Sequence, residues 1–292
     1  MSTNNSKFKL ALCQIAVGDD KQKNIALATA AVTEAATNAA QVVSLPECWN
    51  SPYSTASFPQ YAESIPETKA NLNENDHPST FALSQLAAKF QIYLVGGSIP
   101  EKDTADKFYN TSVIFSPEGE ILGKHRKVHL FDIDVPGKIT FKESDTLSPG
   151  DSVTLFDTPY CKIGVGICYD IRFPELSMLM KKHGAKVLLF PGAFNLTTGP
   201  AHWELLQRAR AVDNQLYVAA TSPARGPEGG YQAWGHSSVI SPWGEVVATC
   251  GHGESIVYGE VNLEKVEEMR NNIPTSNQTR SDLYELVHKQ SA

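Results

Sequence analysis

A chain of 292 residues, 41% of them hydrophobic, is long enough to bury most of its unfolded surface in a packed α/β core. Its net charge is −7 with no long Lys or Arg run, so a phosphate backbone would meet repulsion and nucleic acid is not an expected partner. No stretch nears the roughly 18 apolar residues of a membrane span, and Met1 to Lys9 has no apolar core behind a basic region, so neither a membrane nor secretion is expected.

The alternation over Lys9 to Val17 predicts a strand, and the Ala-rich stretch Asn24 to Ala39, free of Gly and Pro, predicts a helix. Val42 to Leu45 is a short apolar strand stopped by Pro46. Ser79 to Phe90 follows as an amphipathic helix with Ser79 as its cap, and Ile92 to Ser98 as the next strand. Thr111 to Phe115 and Glu120 to Gly123 flank a Ser-Pro-Glu-Gly turn. The order then recurs: strand Lys162 to Ile167, helix Pro174 to His183 closed by Gly184, strand Lys186 to Phe190, helix Ala201 to Asn214, strand Leu216 to Thr221. Strands Ser237 to Ile240 and Glu245 to Thr249 flank a second turn, Ser-Pro-Trp-Gly.

Two echoes support an internal duplication: QIYLV at 91–95 against QLYVA at 215–219, and SVIFSPEGEI at 112–121 against SVISPWGEV at 238–246. Two such halves would pair their sheets face to face with helices outside, giving a four-layer α-β-β-α sandwich with a pseudo-twofold axis, against the doubly wound single sheet that βαβ patterns otherwise suggest. Val135 to Ser152 is polar and turn-rich but short, so residues 1–292 are expected to form one domain, with an extended tail from about residue 276.

The five cysteines, at 13, 48, 161, 168 and 250, are odd in number and scattered, which argues against a disulfide framework. No CxxC or HExxH occurs, and Cys161 and Cys168, seven apart on what reads as one strand, would face opposite ways, so no metal site is expected. The first Arg is Arg126, unlike an Arg-rich mitochondrial presequence. The cytosol is the expected location, without excluding a mitochondrial pool imported by other signals.

Cys168 stands where a strand gives way to a sharp turn and then a helix opened by Pro174 and Glu175, beside Gly164 and Gly166. Such a turn exposes a nucleophile, and the Tyr169 amide after it would face an oxyanion; the competing reading is a buried structural cysteine, which Cys13 is expected to be. Glu47 ends the apolar run Val42 to Pro46, where partial burial would raise its pKa toward that of a working base. An ordinary helix-start glutamate is its competing reading. The internal repeat matches Leu45-Pro46-Glu47 with Phe190-Pro191-Gly192, so these strand ends should converge. Lys127 lies in the basic cluster His125 to Asp132, whose competing reading is a solvated loop; Val128, Leu130 and Phe131 argue otherwise by pulling the segment inward. A buried lysine demands an acidic partner, for which Glu47 and Glu143 are the candidates, and it should favour the thiolate of Cys168. His125 and His129 offer a Cys–His dyad, ranked below the glutamate base.

These residues resemble the nitrilase, or carbon–nitrogen hydrolase, superfamily. LPECWNSPYS at 45–54 is similar to its glutamate motif, HRKVHLFDIDVPGKITFKES at 125–144 to its lysine motif and GVGICYDIRFPEL at 164–176 to its cysteine motif. PGAFNLTTGPAHWELLQRARAVDNQ at 191–215 and AWGHSSVISPWGEV at 233–246 resemble the omega-amidase branch, whereas the stretch around Asn71 to His77 is longer than that branch leads one to expect. The resemblance implies the α-β-β-α sandwich, a homodimer, no cofactor, and a small-molecule amide substrate. It makes Cys168 the nucleophile, Glu47 the general base and acid, Lys127 the cationic stabiliser and Glu143 its support. For this branch it implies hydrolysis of the terminal amide of 2-oxo dicarboxylic acid monoamides, alpha-ketoglutaramate and alpha-ketosuccinamate, with Arg172 and Tyr53 gripping the second carboxylate. Arg172 could instead pair with Glu175, and Phe194, Asn195 and Trp203 are expected at the pocket wall or in the core behind it. An amidase for deaminated glutathione or an N-carbamoyl amino acid, and a non-catalytic scaffold, are the alternatives.

Overall fold

Strands that are apolar on both faces and helices that are apolar on one leave few ways to pack, and each half of this chain supplies both. In a computed structural model that describes residues 6–228 and 230–289, the first half runs β1 (Lys7–Gln14), α1 (Lys21–Thr37), β2 (Val42–Ser44), α2 (Phe58–Tyr61), α3 (Pro78–Phe90), β3 (Tyr93–Val95), β4 (Ile99–Lys102), β5 (Phe108–Phe115) and β6 (Ile121–Arg126). A hairpin of β7 (Asp132–Val135) and β8 (Ile139–Lys142) leads to β9 (Thr154–Asp157), β10 (Lys162–Val165), α4 (Pro174–Lys182), β11 (Ala185–Pro191), α5 (Gly199–Asn214), β12 (Tyr217–Thr221), β13 (Ser238–Ile240) and β14 (Val246–Thr249). β15 (Ser255–Asn262), α6 (Leu263–Asn272) and the single-turn α7 (Thr275–Gln278) follow.

The first sheet is ordered β15-β1-β2-β3-β5, with β4 and β6 also on β5, and the second β14-β13-β12-β11-β10-β9. In each, three parallel strands carry an antiparallel strand on either side: β15 and β5 around β1-β2-β3, β9 and β13 around β10-β11-β12. The duplication is therefore real in three dimensions, except that β15 reaches its place from the far end of the chain. The echoing segments also share backbone detail. Gln91 and Gln215 both end a helix in the left-handed conformation, at φ 53°. Ser116 and Ser241 both donate their backbone N–H across the following turn at 2.9 Å, to the Glu120 and Glu245 carbonyls.

Period-two alternation sorts side chains into layers. Leu10, Leu12, Val42 and Ile114 of the first sheet meet Ile163, Val165, Val187 and Leu189 of the second. On the outer faces, Ala11, Cys13, Val43 and Leu94 pack against Val32 of α1 and Leu83 of α3, and Leu188, Phe190 and Val218 against Met180 of α4 and Trp203 of α5. Each fully buried side chain of this size stabilises the fold by about 1.5–3 kcal/mol relative to exposure. The result is the four-layer α-β-β-α sandwich.

Several expectations are corrected. Ser79 does not cap α3: Pro78 already holds the first helical position, and the Ser79 hydroxyl is drawn to the buried Glu63 carboxylate at 2.6 Å. β10 stops at Val165, so Cys161 and Cys168 do not share a strand; Cys161 packs toward the inter-sheet layer and Cys168 on the outer side. The turn-rich stretch after Val135 contains β8, and α7 adds one helical turn to the tail, which then lies along the end of α4 with Leu286 O accepting from Lys182 Nζ at 2.9 Å. The long stretch around Asn71 to His77 folds as a turn held by Asp76 N–H on Asn73 Oδ1 at 2.9 Å, before the outer helix α3. All five cysteines are free thiols. Among the described residues, no helix is long and apolar enough to cross a membrane, and no group of three or more His, Cys, Asp or Glu is placed to hold a metal ion.

Candidate active site

Glu47 sits just past the end of β2, on a turn that has little freedom. Gly97, at φ 63°, crosses so near that a Cβ there would lie 2.2 Å from the Pro46 carbonyl oxygen, so only glycine fits. Ser98 Oγ accepts the Cys48 N–H at 3.0 Å, and Trp49 Nε1 donates to Gly96 O at 2.7 Å. The Glu47 carboxylate is buried, with Oε1 accepting from Lys127 Nζ and Asn110 Nδ2 at 2.9 Å each and Oε2 from the Ala193 N–H at 2.8 Å. Ala193 follows the Pro191 end of β11, and Thr221 Oγ1 reaches Ser44 Oγ at 3.0 Å, so the matching strand ends do converge.

Lys127 is fully buried one residue beyond β6, its backbone tied by N–H to Asn110 O at 2.8 Å. Its ammonium stands 2.9 Å from both Glu47 Oε1 and Glu143 Oε2. Burial alone would lower its pKa, but Glu143 and Glu47 outweigh that and hold it well above the ordinary lysine value, so it is a fixed cation. Burial raises the Glu47 carboxyl above its ordinary value; Lys127 opposes the rise and the Glu143 charge adds to it. Two carboxylates around one ammonium leave a site that favours taking up a proton.

Cys168 opens the 3₁₀ turn Cys168–Arg172 with φ 45°, a conformation that costs an L-residue about 1–2 kcal/mol. Its thiol is near enough to Glu47 and to the Ala193 backbone for both to shift its pKa. Burial and the adjacent Glu47 raise the thiol pKa well above its ordinary value, against the opposing pull of Lys127. Lys127 thus favours the thiolate, as expected, but burial and the Glu47 charge outweigh it. The Cys–His dyad is absent, because His125 and His129 both bind Asp170, at 3.0 and 2.8 Å.

Tyr53 is directed to Glu143 Oε1 at 2.9 Å, so its hydroxyl is engaged with the lysine cluster rather than held ready for a substrate carboxylate. The Glu143 carboxylate also accepts the Phe131 N–H at 2.7 Å. Arg172 forms no ion pair with Glu175; its guanidinium lies 4.7 Å from the Phe194 ring and 5.6 Å from the Tyr169 ring, with His202 Nδ1 at 3.3 Å. Burial lowers its pKa, with the Cys168 side chain near enough to counter this. Phe194 and Trp203 are buried edge to face at 5.0 Å, Trp203 Nε1 donating to His236 O, and thus support the site from the core. Asn195 is 5% exposed; its Oδ1 accepts the Thr197 and Thr198 amides, and its Nδ2 has no hydrogen-bond partner among the described residues.

Sequence reasoning missed Asn110, the Ala193 amide and Tyr231. The Tyr231 hydroxyl donates to Ala193 O while its ring lies 4.5 Å from that of Tyr53. Only Ala193 carried a signal, through the repeat that pairs its strand end with that of Glu47.

A two-sheet sandwich that seals a glutamate, a lysine and a cysteine together at its strand ends is the scaffold of a hydrolase of carbon–nitrogen bonds. Residues 9–271 match the carbon-nitrogen hydrolase family, and the chain belongs to that family. It is 58% identical over 284 residues to the omega-amidase NIT2 of Bos taurus, covering 97% of this chain and 99% of that protein, and 56% identical over 284 residues to the omega-amidase NIT2 of Homo sapiens, with the same coverage. The crystal structure of Saccharomyces cerevisiae Nit3, a member of branch 10 of the nitrilase superfamily, superposes with TM-score 0.85 at 47% identity over 94% of this chain and 97% of that one. The Caenorhabditis elegans NitFhit protein gives TM-score 0.82 at 34% identity, over 100% of this chain and 69% of that one.

Proposed function

We propose that this chain is an omega-amidase, hydrolysing the terminal amide of 2-oxo dicarboxylic acid monoamides through a thioester on Cys168. The observation that carries the reading is the buried Glu47 carboxylate, hydrogen-bonded at once to Lys127 Nζ and the Ala193 amide and near enough to Cys168 to shift its thiol pKa. As Cys168 Sγ bonds to the amide carbon, its proton passes to Glu47, and the carbonyl oxygen becomes an oxyanion held by the Lys127 ammonium and the Tyr169 amide. Glu47 returns that proton to the departing nitrogen, the C–N bond breaks and ammonia leaves. Glu47 then takes a proton from water as the hydroxyl adds to the thioester, and the acid departs as the thiol is restored. Burial and the Glu47 charge favour the thiol form of Cys168, so a base must take its proton as it attacks, which a glutamate of raised pKa serves.

Arg172, half-buried beside the nucleophile with no carboxylate in ion-pair reach among the described residues, supports a substrate that brings its own carboxylate. Phe194 and Asn195 would flank that carboxylate, and Glu143 with Tyr53 would hold Lys127 in place. The proposal also carries a homodimer and a cytosolic location, to be checked by sedimentation and by fractionation of cells. The test of function is ammonia release from alpha-ketoglutaramate, alpha-ketosuccinamate, deaminated glutathione, an N-carbamoyl amino acid and a simple aliphatic amide. Highest kcat/KM on the first two supports the reading. Preference for another amide refutes the substrate, and the absence of any turnover, with Cys168 no more reactive than a model thiol, would favour a scaffold.

A further inference from the structure

One buried carboxylate that the reaction does not use joins the two segments that it does. Asp170 is fully buried two residues after Cys168. Its Oδ1 accepts the His129 N–H at 2.9 Å and His129 Nδ1 at 2.8 Å; its Oδ2 accepts His125 Nε2 at 3.0 Å and the Ile167 N–H at 2.9 Å. An ionised carboxylate only accepts, so both rings present N–H to it, and His125 Nδ1 is left to pair with the Thr154 hydroxyl at 3.0 Å. His125 and His129 flank Lys127 two residues to either side, and Ile167 immediately precedes Cys168. The strands that deliver these segments, β6 and β10, lie in different sheets, so no backbone ladder sets Lys127 against Cys168.

We propose that Asp170 is a positioning residue that fixes the Lys127 ammonium relative to the Cys168 sulfur by bonding both sides of the lysine segment and the start of the cysteine turn. This rests on the assignment of those two residues as the reacting pair. Asparagine is nearly isosteric but cannot substitute. Whichever way its amide is turned, the NH₂ group confronts a backbone N–H, that of His129 or of Ile167, which has no other tautomer.

The test compares Asp170→Asn with Glu63→Gln, a control at another buried carboxylate that bonds Ser79, at a temperature where circular dichroism shows each fully folded. Two readouts are used: kcat and KM for alpha-ketoglutaramate, and the rate of Cys168 alkylation by iodoacetamide across pH. Asp170→Asn is expected to lose at least 30-fold in kcat with KM within threefold, and to move the alkylation profile, while the control does neither. His129→Phe keeps the stacked ring on Phe173, 3.6 Å away in the parent, but deletes one donor and should lose about five- to tenfold in kcat; His129→Asn, whose amide nitrogen takes the place of Nδ1, should recover most of it. Should Asp170→Asn not fold, the His129 pair decides alone. Parent-like kcat and alkylation in Asp170→Asn, or equal kcat in His129→Phe and His129→Asn, would overturn the proposal. Alkylation needs no substrate, so a shifted profile in a protein inactive on every amide would sustain the positioning role while refuting the omega-amidase reading.

Discussion

Replacing Glu143 by glutamine removes one of the two carboxylates that hold the buried Lys127 ammonium, at 2.9 Å in the parent. Breaking a buried pair by removing one partner costs about 3–5 kcal/mol, and the low end applies because Glu47 remains. The glutamine can keep its oxygen on the Phe131 N–H, where Glu143 accepts at 2.7 Å, and turn its NH₂ to the Tyr53 hydroxyl, which can reverse and accept. Lys127 then keeps Glu47 but meets a neutral side chain in place of the second carboxylate, with the NH₂ group where an oxygen accepts its ammonium at 3.0 Å, and a loss of about 3 kcal/mol is expected. Unfolding entropy of roughly 0.6 kcal/mol per kelvin for a chain of this length converts that to a fall of about 5 °C in Tm. The chemistry should respond as well. With the Glu143 charge gone, the Glu47 carboxyl loses a cause of its raised pKa, so the acid limb of kcat/KM, set by loss of the Glu47 base form as pH falls, should move to lower pH. A weaker base and a displaced ammonium together should lower kcat about 100-fold. Thermal melts followed by circular dichroism, and ammonia release across pH on the folded variant, measure all three. A Tm within 1 °C of the parent, or an unmoved acid limb, would refute the reasoning; the ~1 °C margin is well below the shift expected from these energies.

Cys168→Gly should be more stable than Cys168→Ala by about 1 kcal/mol in urea unfolding, reversing the usual order, because φ 45° strains alanine and not glycine; both should be inactive. Gly166→Ala would set a Cβ 2.6 Å from Phe190 Cε1 and 3.3 Å from Asp170 Cβ, so a loss of about 1–3 kcal/mol with reduced kcat is expected from the same unfolding and ammonia assays. Asp170 is held below its ordinary value of 3.8: burial opposes this, but the hydrogen bonds from His125, His129 and Ile167 win. Its contribution to stability is thus fully present above that value and lost as pH falls through the depressed one, so Asp170→Asn should flatten the stability-versus-pH curve below about pH 4. Arg172→Lys should reduce the preference for carboxylate-bearing amides over simple aliphatic amides about tenfold or more, read as a ratio of kcat/KM.

The sites that sequence could reveal are those where a local pattern and a chemical type coincide. Glu47 closes an apolar run, Cys168 breaks from strand to turn, and Lys127 has apolar neighbours that draw it inward; each was legible without coordinates. The echoes at Gln91 and Gln215 placed the second sheet opposite the first. Asp170, Asn110 and Tyr231 were not legible, because an aspartate in a turn, an asparagine in a strand and a tyrosine in a Gly-rich loop look ordinary until distant segments meet. β15 alternates visibly as Ser-Ile-Val-Tyr-Gly-Glu-Val-Asn, yet its place depends on pairing with β1 at the other end of the chain, from Lys7 against Asn262 to Gln14 against Ser255. The β7–β8 hairpin hid because its alternating residues, Asp-Ile-Asp-Val and Ile-Thr-Phe-Lys, flank a Pro-Gly turn and were outweighed by the polar character of the stretch. Thiol ionisation was half legible: the lysine and its two glutamates could be named from sequence, but the burial that outweighs the lysine at Cys168 arises only once the site is packed.

The central claim is that Cys168 carries the acyl group, and acid-quenched mass spectrometry during turnover of alpha-ketoglutaramate tests it directly. The peptide containing Cys168 should gain the mass of the 2-oxo acyl group, lose it on standing as acid is released, and show no gain in Cys168→Ala. Steady release of ammonia with that peptide unmodified throughout, or undiminished turnover by Cys168→Ala, would contradict the account.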